Sequence, residues 1–403
     1  MKQIKNIIIL LCAVMNTYPV AAQLRSLSTR EIIQDREIKT TTTVTSSTIE
    51  RYNFLTPGQF TEKTPMTAAP LNSNNMVYYY PKTIDLISEA SDARYYFSDV
   101  NGDGNDELLS IGGLVKNTII LGRKADNSIG RSGTFRLPEE FRPHNKLFLG
   151  RFNETGGRNV IIYYPDTYYF FAYQFNATSA WVLERPYHIL TNWTYQHDIY
   201  TGDFNGDGFT DLLFWEKGAN QWHVSLYEPR KITSGTGAMA PGGVWLKGWA
   251  QSADMKCVTG DFNGDRKDDI ALVHQPTGEW WVALSNGSSF QPSQGYKYNV
   301  WLKPWSIGTH QQFTGLDVNN DGLCDIVSYD PKERSFQAVL SNGQYFDYFM
   351  KKEFIDPAIQ NPLQVVAGKF AGNPLITIIH EVSDRTASVP RNMASIYYTH
   401  YRR

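Results

Sequence analysis

The stretch Asp203-Phe-Asn-Gly-Asp-Gly-Phe-Thr-Asp211 recurs along the chain, and its recurrence decides the fold prediction. Each complete copy has acidic residues at positions 1, 5 and 9, Asn at position 3 and an apolar run behind it. The other complete copies are residues 99–107, 261–269 and 317–325. The same frame recurs without the acidic residues from Arg151 and from Lys369. First positions are therefore spaced by 52 to 58 residues, which indicates a repeat fold.

The segments behind the loops keep the same period and predict the repeating unit. Trp222, Trp280 and Phe336 each lie 19 residues after a first position and open a stretch of alternating polarity, which is typical of a strand. Ser-Asn-Gly at 285–287 and at 341–343 then predicts a hairpin turn. One repeat therefore reads as a four-stranded blade. Blades around an axis leave only short, protected edges, so we predict an all-β β-propeller.

The two ends of the chain bear on the number of blades. A weaker copy of the frame starts at Gly58, and counting it favours seven blades, with six as the alternative. The last copy lacks a fourth strand, so we expect the termini to pair and close the ring. The predicted propeller spans 58–403. Residues 23–57 are a Thr/Ser-rich lead-in that is either poorly packed or supplies the closing strand.

The first residues have the pattern of a secretory signal peptide. Lys2 and Lys5 precede an apolar run at 7–15, and small residues follow up to Ala22. We predict residues 1–22 as the signal, cleavage after Ala22, and a secreted or periplasmic mature chain. No later segment has 18 uninterrupted apolar residues, so no transmembrane segment is predicted there.

Composition excludes one class of partner and supports the fold class. The chain has 403 residues, with 38 Lys and Arg against 40 Asp and Glu, so it has no broad basic field for nucleic acid. Its 10 Trp, 24 Tyr, 21 Phe and 31 Gly favour strands joined by tight turns. Cys257, in a first strand, and Cys324, in a loop, fall at different levels of adjacent repeats, so we expect both thiols to be unpaired.

The acidic loop places oxygen atoms at alternate positions, as a calcium ion requires. Side chains at positions 1, 3, 5 and 9 and the carbonyl at position 7 are the predicted ligands. They are Asp99, Asn101, Asp103, Asn105 and Glu107; Asp203, Asn205, Asp207, Phe209 and Asp211; Asp261, Asn263, Asp265, Lys267 and Asp269; and Asp317, Asn319, Asp321, Leu323 and Asp325. The alternative is that these loops are only turns, but four copies in register favour about four Ca²⁺ ions.

These segments resemble FG-GAP (VCBS-type) repeats, which form the β-propeller of integrin α subunits, certain fungal lectins and many exported bacterial proteins. The resemblance implies that the loop joins the first two strands of a blade and binds calcium. Arg266 replaces a glycine of the family pattern at position 6, and Asn320 replaces one at position 4. Arg151 and Lys369 stand where the family has Asp, so no metal is predicted in those two frames.

No catalytic motif with specific spacing occurs in the chain. The leading hypothesis is therefore a binding or adhesion module that takes a glycan or a host or matrix protein outside the cytoplasm. The candidate ligand-binding side chains are Trp193, Trp245, Trp249, Trp301 and Trp305, all near predicted connections between blades. The alternative for these tryptophans is packing between blades. The alternative functions are a polysaccharide lyase or hydrolase with its site in the channel, and a structural scaffold.

Overall fold

The computed structural model describes the larger part of the chain beyond residue 74. The described residues are 75–79, 83–85, 94–100, 105–111, 117–123, 129–136, 142, 144–152, 159–176, 182–183, 187–190, 197–228, 239–240, 242–249, 252–294, 300–348, 353–354, 362–370, 373–382 and 391–402. The predicted signal, the lead-in, the frame at Gly58, Trp193 and two predicted ligands, Asn101 and Asp103, lie outside them.

Strands are the only regular elements in the described ranges. In chain order they are β1 (Asn75–Tyr79), β2 (Thr83–Asp85), β3 (Arg94–Ser98), β4 (Glu107–Ile111), β5 (Asn117–Arg123), β6 (Ile129–Arg136), β7 (Lys146–Gly150), β8 (Asn159–Tyr164), β9 (Tyr169–Asn176), β10 (Val182–Leu183), β11 (Tyr187–Leu190), β12 (Asp198–Gly202), β13 (Asp211–Glu216), β14 (Gln221–Ser225), β15 (Gly243–Lys247), β16 (Met255–Gly260), β17 (Asp269–His274), β18 (Glu279–Ser285), β19 (Phe290–Pro292), β20 (Gln312–Leu316), β21 (Asp325–Asp330), β22 (Ser335–Ser341), β23 (Phe346–Tyr348), β24 (Glu353–Phe354), β25 (Pro362–Phe370), β26 (Asn373–Val382) and β27 (Arg391–Arg402). No helix capable of crossing a membrane was found among these residues.

Four consecutive antiparallel sheets form the central part of the fold. Their orders are β10-β9-β8-β7, β12-β13-β14-β15, β16-β17-β18-β19 and β20-β21-β22-β23; β11 also pairs with β9, and β24 with β22. Each acidic loop joins the first two strands of its sheet, since Gly202 pairs with Asp211 and Gly260 with Asp269. The predicted placement of the loop within the blade is therefore confirmed in these sheets.

A repeated hydrogen bond ties each of these sheets to the next. The backbone N–H at position 8 of one frame donates to the carbonyl at position 1 of the preceding frame. The bonds run from Thr210 to Arg151 at 2.9 Å, from Asp268 to Asp203 at 2.7 Å, and from Cys324 to Asp261 at 2.7 Å. Successive blades are thus held in the same relative position at the loop level. The all-β class and the propeller arrangement of these blades are confirmed.

Two further sheets contain the remaining strands. One has the order β3-β4-β5-β6, and the other has the order β1-β27-β26-β25, with β2 also paired to β27. Asn75 pairs with Arg402, so strands from the two ends of the described chain lie side by side. The Asp106 N–H donates to the Lys369 carbonyl at 2.7 Å, which is the same bond that joins the four central sheets.

The core lies between neighbouring sheets and is largely aromatic. The residue at position 2 of the frame, Phe152, Phe204 or Phe262, is fully buried. Trp222 and Trp280, which open the third strand, are also fully buried, and Trp222 stacks on Trp215 with ring centroids 4.4 Å apart. Large aromatic side chains remove the most apolar area from water, so they hold the blades together.

Glycine before the second and third acidic loops allows the close approach of the next blade. A Cβ atom on Gly260 would lie 2.4 Å from Cys324 Sγ, and one on Gly202 would lie 2.8 Å from Asp268 Oδ2. Cys324 is packed in this way against the β16–β19 sheet, while Cys257 lies on β16 itself. Cys257 and Cys324, the two cysteines in the described ranges, are both free, as their register predicted.

Candidate metal loops and axial cavity

The first aspartate of each loop organises the turn around its own carboxylate. In the second loop Asp203 Oδ1 accepts the N–H groups of Gly206 and Asp207 at 2.8 and 3.1 Å, and its Oδ2 accepts that of Gly208 at 2.8 Å. Asp261 accepts the equivalent three bonds in the third loop. Asp317 accepts the N–H groups of positions 5 and 6 in the fourth. One local geometry therefore occurs in three loops of different sequence.

The two departures from the family pattern keep this geometry. Arg266 and Asn320 adopt positive φ angles of 68° and 57°, in the left-handed region that Gly208 and Gly206 occupy in the second loop. Asn enters this region readily, whereas Arg does so at a cost in backbone strain. The loop around Asp261 nevertheless has the same hydrogen bonds as its neighbours.

Positions 3 and 5 place further oxygen atoms beside the first aspartate. Asn205 Oδ1 accepts the Asp207 N–H at 3.0 Å, and Asp207 Oδ1 accepts the Phe209 N–H at 2.9 Å. The same pair of bonds occurs in the third and fourth loops. In the third loop Lys267 Nζ also lies 3.0 Å from Asp265 Oδ2. That cation competes with a metal ion for the carboxylate at position 5.

The acid at position 9 is buried and anchors the loop to the sheet. Asp211 Oδ2 accepts the Phe204 N–H at 3.0 Å, and its Oδ1 accepts the Tyr227 N–H at 2.8 Å. Asp269 and Asp325 accept the equivalent bonds. Each carboxylate oxygen has a second lone pair, so position 9 keeps acceptor capacity for a cation.

Burial changes the protonation of these acids. It raises the pKa of Asp211, Asp269 and Asp325 to about 8, and the charges of the acids at positions 1 and 5 add to this effect. The pKa values of Asp203 and Asp317 are also raised, mainly by burial. A bound cation reverses this balance, because it favours the ionised carboxylates that burial and mutual repulsion disfavour.

The first loop and the acid-free frames are described in part. Asp99, Asn105 and Glu107 lie within the described ranges, and Glu107 Oε2 accepts the Val100 N–H at 3.0 Å, as its counterparts at position 9 do. Arg151 reaches towards the neighbouring acidic loop, where its guanidinium lies 4.8 Å from the centre of the Phe209 ring and 3.4 Å from the Gly208 carbonyl oxygen. A cation from an acid-free frame thus lies beside the second loop.

A cavity of about 460 Å³ lies where the first strands of five sheets converge. We call it the axial cavity. Its lining includes Tyr96, Phe148 and Phe313, together with Thr201, Gln312 and Gln364. These strands are β3, β7, β12, β20 and β25. The volume suits a small molecule, and aromatic rings beside neutral polar groups suit an uncharged polar ligand.

The tryptophans predicted to bind a ligand have other surroundings. Trp301 and Trp305 are only 2% and 4% exposed and pack against Phe346 and Trp280, with ring centroids 5.1 and 5.6 Å apart. This burial favours packing, the alternative given for these tryptophans, over ligand binding, because their rings fill the space between strands. Trp245 and Trp249 are half-buried and pack on Phe290 and Trp222. Their role as ligand contacts stays a prediction, as does that of Trp193.

Sequence reasoning missed a cluster of two histidines and one glutamate. His197, Glu216 and His223 each bring one donor atom within 4.8 Å of the others. The feature that identifies the cluster is the strand register, which places all three side chains on one face of the β12–β15 sheet.

The comparisons with known proteins support the fold and do not indicate a function. No protein-family model and no curated protein matches the chain. The Tc holotoxin pore of Photorhabdus luminescens has a TM-score of 0.50 and 13% identity over 81% of this chain. This chain corresponds to 15% of the length of that one. At this identity the likeness supports the fold alone.

Two other solved structures are similar at lower scores. An Agrocybe aegerita lectin that recognises non-reducing terminal N-acetylglucosamine has a TM-score of 0.48 and 14% identity, covering 72% of this chain and 76% of the lectin. The calcium-binding protein regucalcin from Agrobacterium tumefaciens has a TM-score of 0.42 and 8% identity, covering 79% and 95%.

Proposed function

We propose that the chain is a calcium-stabilised β-propeller that acts as a binding module outside the cytoplasm. The observation that carries the proposal is the common geometry of three loops, in which Asp203, Asp261 and Asp317 each gather backbone N–H groups and leave further oxygens at positions 3 and 5. The resemblance to FG-GAP repeats supports it, because that family uses the same loop for calcium.

Calcium suits the donor set better than other ions. The candidate ligands are oxygens only, they come from a short irregular loop, and at least three of them in each loop are carboxylates. Calcium accepts six to eight oxygens in irregular geometry, whereas magnesium demands a tight octahedron. With the first loop included, the stoichiometry is about four ions per chain.

Metal analysis and calorimetry on dialysed mature protein test this part. Four binding events that disappear with chelator are expected. Absence of binding at millimolar calcium contradicts the proposal. The export part has its own test, since N-terminal sequencing of the secreted or periplasmic protein is expected to start at Gln23.

The proposed ligand is an uncharged glycan, and the axial cavity is its proposed site. Sugar C–H faces stack on aromatic rings, and Phe148 and Phe313 offer such rings beside the hydroxyl of Thr201 and the amide of Gln312. The half-buried Trp245 and Trp249 are the second candidate surface.

A glycan array with and without calcium tests the ligand class. Phe313→Ala is expected to lose the binding, and Tyr169→Ala, at an exposed ring outside the cavity lining, is expected to keep it. Equal loss in both variants, or no bound glycan, contradicts the proposal. Turnover of a polysaccharide in the same samples would favour the enzyme hypothesis, and neither binding nor turnover would favour a scaffold.

The proposed ring has six blades and is closed by the N-terminal strands β1 and β2. The hydrogen bond from Asp106 to Lys369 supports it, because it joins the frame at Asp99 to the acid-free frame at Lys369 as successive frames are joined elsewhere. The pairing of β1 with β27 supports the closure. Six was the alternative to the seven blades that the frame at Gly58 favoured.

A further inference from the structure

The strand register brings together three metal-binding side chains outside the acidic loops. Phe214 pairs with His223, so Glu216, two residues further along β13, lies on the same face as His223. His197 directly precedes Asp198, which pairs with Trp215, and this places His197 beside Glu216. Three segments of one blade thus each contribute one donor to one side of the sheet.

The distances suit a small ion bound by nitrogen and oxygen. His223 Nε2 lies 3.3 Å from Glu216 Oε2, and one donor atom of His197 lies within 4.8 Å of both. Two ligands on a tetrahedral ion with bonds of about 2.0–2.1 Å lie about 3.3 Å apart. The His223 and Glu216 pair already has that separation, and His197 has a donor atom close enough to be the third ligand after a rearrangement of its side chain.

The burial of the three side chains also suits a binding site. His197 is 5% exposed, whereas the side chains of His223 and Glu216 are 14% and 30% exposed, so the cluster runs from the interior towards solvent. Burial lowers the pKa of His223, which favours the neutral imidazole that a metal needs. The hydrogen bond and the charge of Glu216 oppose this lowering of the pKa, and the charges of His197 and Lys247 add to it. Lys146 Nζ donates to the His197 carbonyl oxygen at 3.2 Å.

We propose that His197, Glu216 and His223 bind one Zn²⁺ ion. Two imidazoles and one carboxylate form a donor set typical of zinc with three protein ligands, leaving a fourth position for water or another donor. The acidic loops offer oxygen alone and select calcium. One molecule therefore has two kinds of metal site, and the zinc site does not depend on the proposed calcium loops.

The neighbouring blade provides a matched control. The residue equivalent to Glu216 at the end of β17 is His274, and the residues equivalent to His197 and His223 are Met255 and Trp281. His274 Nδ1 lies 2.8 Å from Thr277 Oγ1 in a turn. His274→Gln therefore removes a histidine from the same level of the fold without touching the cluster.

The experiment is a Zn²⁺ titration by calorimetry, repeated with Co²⁺ to read its visible spectrum. It uses mature protein saturated with calcium, so that zinc does not compete for the acidic loops. One equivalent of zinc and the absorption of a four-coordinate Co²⁺ are expected for the unaltered chain and for His274→Gln. Glu216→Gln and His223→Gln are expected to bind more than about tenfold more weakly.

Two outcomes overturn the proposal. One is the absence of zinc binding by the calcium-saturated chain, and the other is unchanged binding in Glu216→Gln and His223→Gln. Metal-free melting curves accompany each variant. If His223→Gln does not fold, the zinc affinity of Glu216→Gln tests the proposal. The Glu216 side chain is the most exposed of the three, and glutamine has nearly the shape of glutamate, so this variant is expected to fold.

Discussion

At the scale of single residues, the ninth position of the loop links the proposed calcium site to the interior of the blade. Asp211, Asp269 and Asp325 are fully buried, yet each ends a loop whose positions 4 to 6 are exposed. Each holds two backbone N–H groups from different parts of its blade. A cation in the loop would therefore act on residues that also fix the third strand.

These acids predict how the stability of the calcium-free protein depends on pH. Burial raises their pKa to about 8, against about 3.9 in an unfolded chain. A raised pKa in the folded state adds stability that is complete below the unfolded value and is lost as pH rises through about 8. We therefore expect the melting temperature in chelator to fall between pH 5 and pH 9.

Melting curves in chelator across this pH range check the prediction. The control is the same protein with saturating calcium, which binds the ionised carboxylates and is expected to remove most of the fall. A melting temperature in chelator that stays level or rises with pH contradicts the assignment.

At the scale of one element, the proposed calcium site makes the acidic loop a turn whose stability is expected to depend on an ion. Its glycines and its hydrogen bonds would fold it as a turn, but three carboxylates in nine residues repel one another. An ion that binds only the native state stabilises it by about 2.7 kcal/mol per site at a hundredfold excess over Kd. Chelator is therefore expected to lower the melting temperature of the mature chain.

Asp207→Ala removes the central carboxylate of the second loop and is expected to abolish the calcium-dependent part of one site's stabilisation. The measurement is the shift in melting temperature on adding calcium. Lys369→Ala, in an acid-free frame, is the control and is expected to keep the full shift. An equal calcium shift in both variants would show that the loops are only turns.

The contact between blades is a second feature at this scale. Gly260→Ala would place a Cβ atom 2.4 Å from Cys324 Sγ and 2.8 Å from Cys324 Cβ, so one blade must move from the other. We expect a loss of about 1–3 kcal/mol in the free energy of unfolding, as for overpacked cores. Denaturant unfolding measures it.

The matched control is Gly218→Ala, because a Cβ atom there would meet nothing within 4 Å. It is expected to leave the free energy of unfolding nearly unchanged. Cys324→Ala is expected to restore part of the loss in Gly260→Ala, because it removes the sulfur atom. If the two substitutions change the free energy of unfolding by independent, additive amounts, the contact between Gly260 and Cys324 is contradicted.

At the scale of the whole molecule, the stability of a propeller depends on how its ring is closed. The sheet of β25, β26 and β27 gains its outer strands from β1 and β2, which come from the other end of the chain. Without them β27 would present an unpaired edge, which favours aggregation.

Truncation tests this closure and the number of blades together. A chain that starts at residue 75 is expected to keep the melting temperature of the mature protein, and one that starts at residue 86 is expected to lose much of it and to aggregate. Thermal melts with light scattering measure both. If the melting temperature already falls sharply when residues 23–74 are removed, a blade around Gly58 is favoured instead.

The sequence by itself determined the period, the all-β class, the level of the acidic loops and the separation of the two cysteines. These depend on residues within one repeat, where the loop pattern and the strand alternation are local. Asp203 and Asp211 are eight residues apart, so their joint role is visible in the sequence.

Only the tertiary structure decided which side chains meet across strands and blades. Trp301 and Trp305 are buried because Phe346 and Trp280 cover them, and no local pattern shows that. The axial cavity collects residues from β3 to β25, and the His197, Glu216 and His223 cluster depends on the register of three segments. Pairing register and blade packing are long-range properties, because a shift of one residue turns every side chain of a strand to the other face.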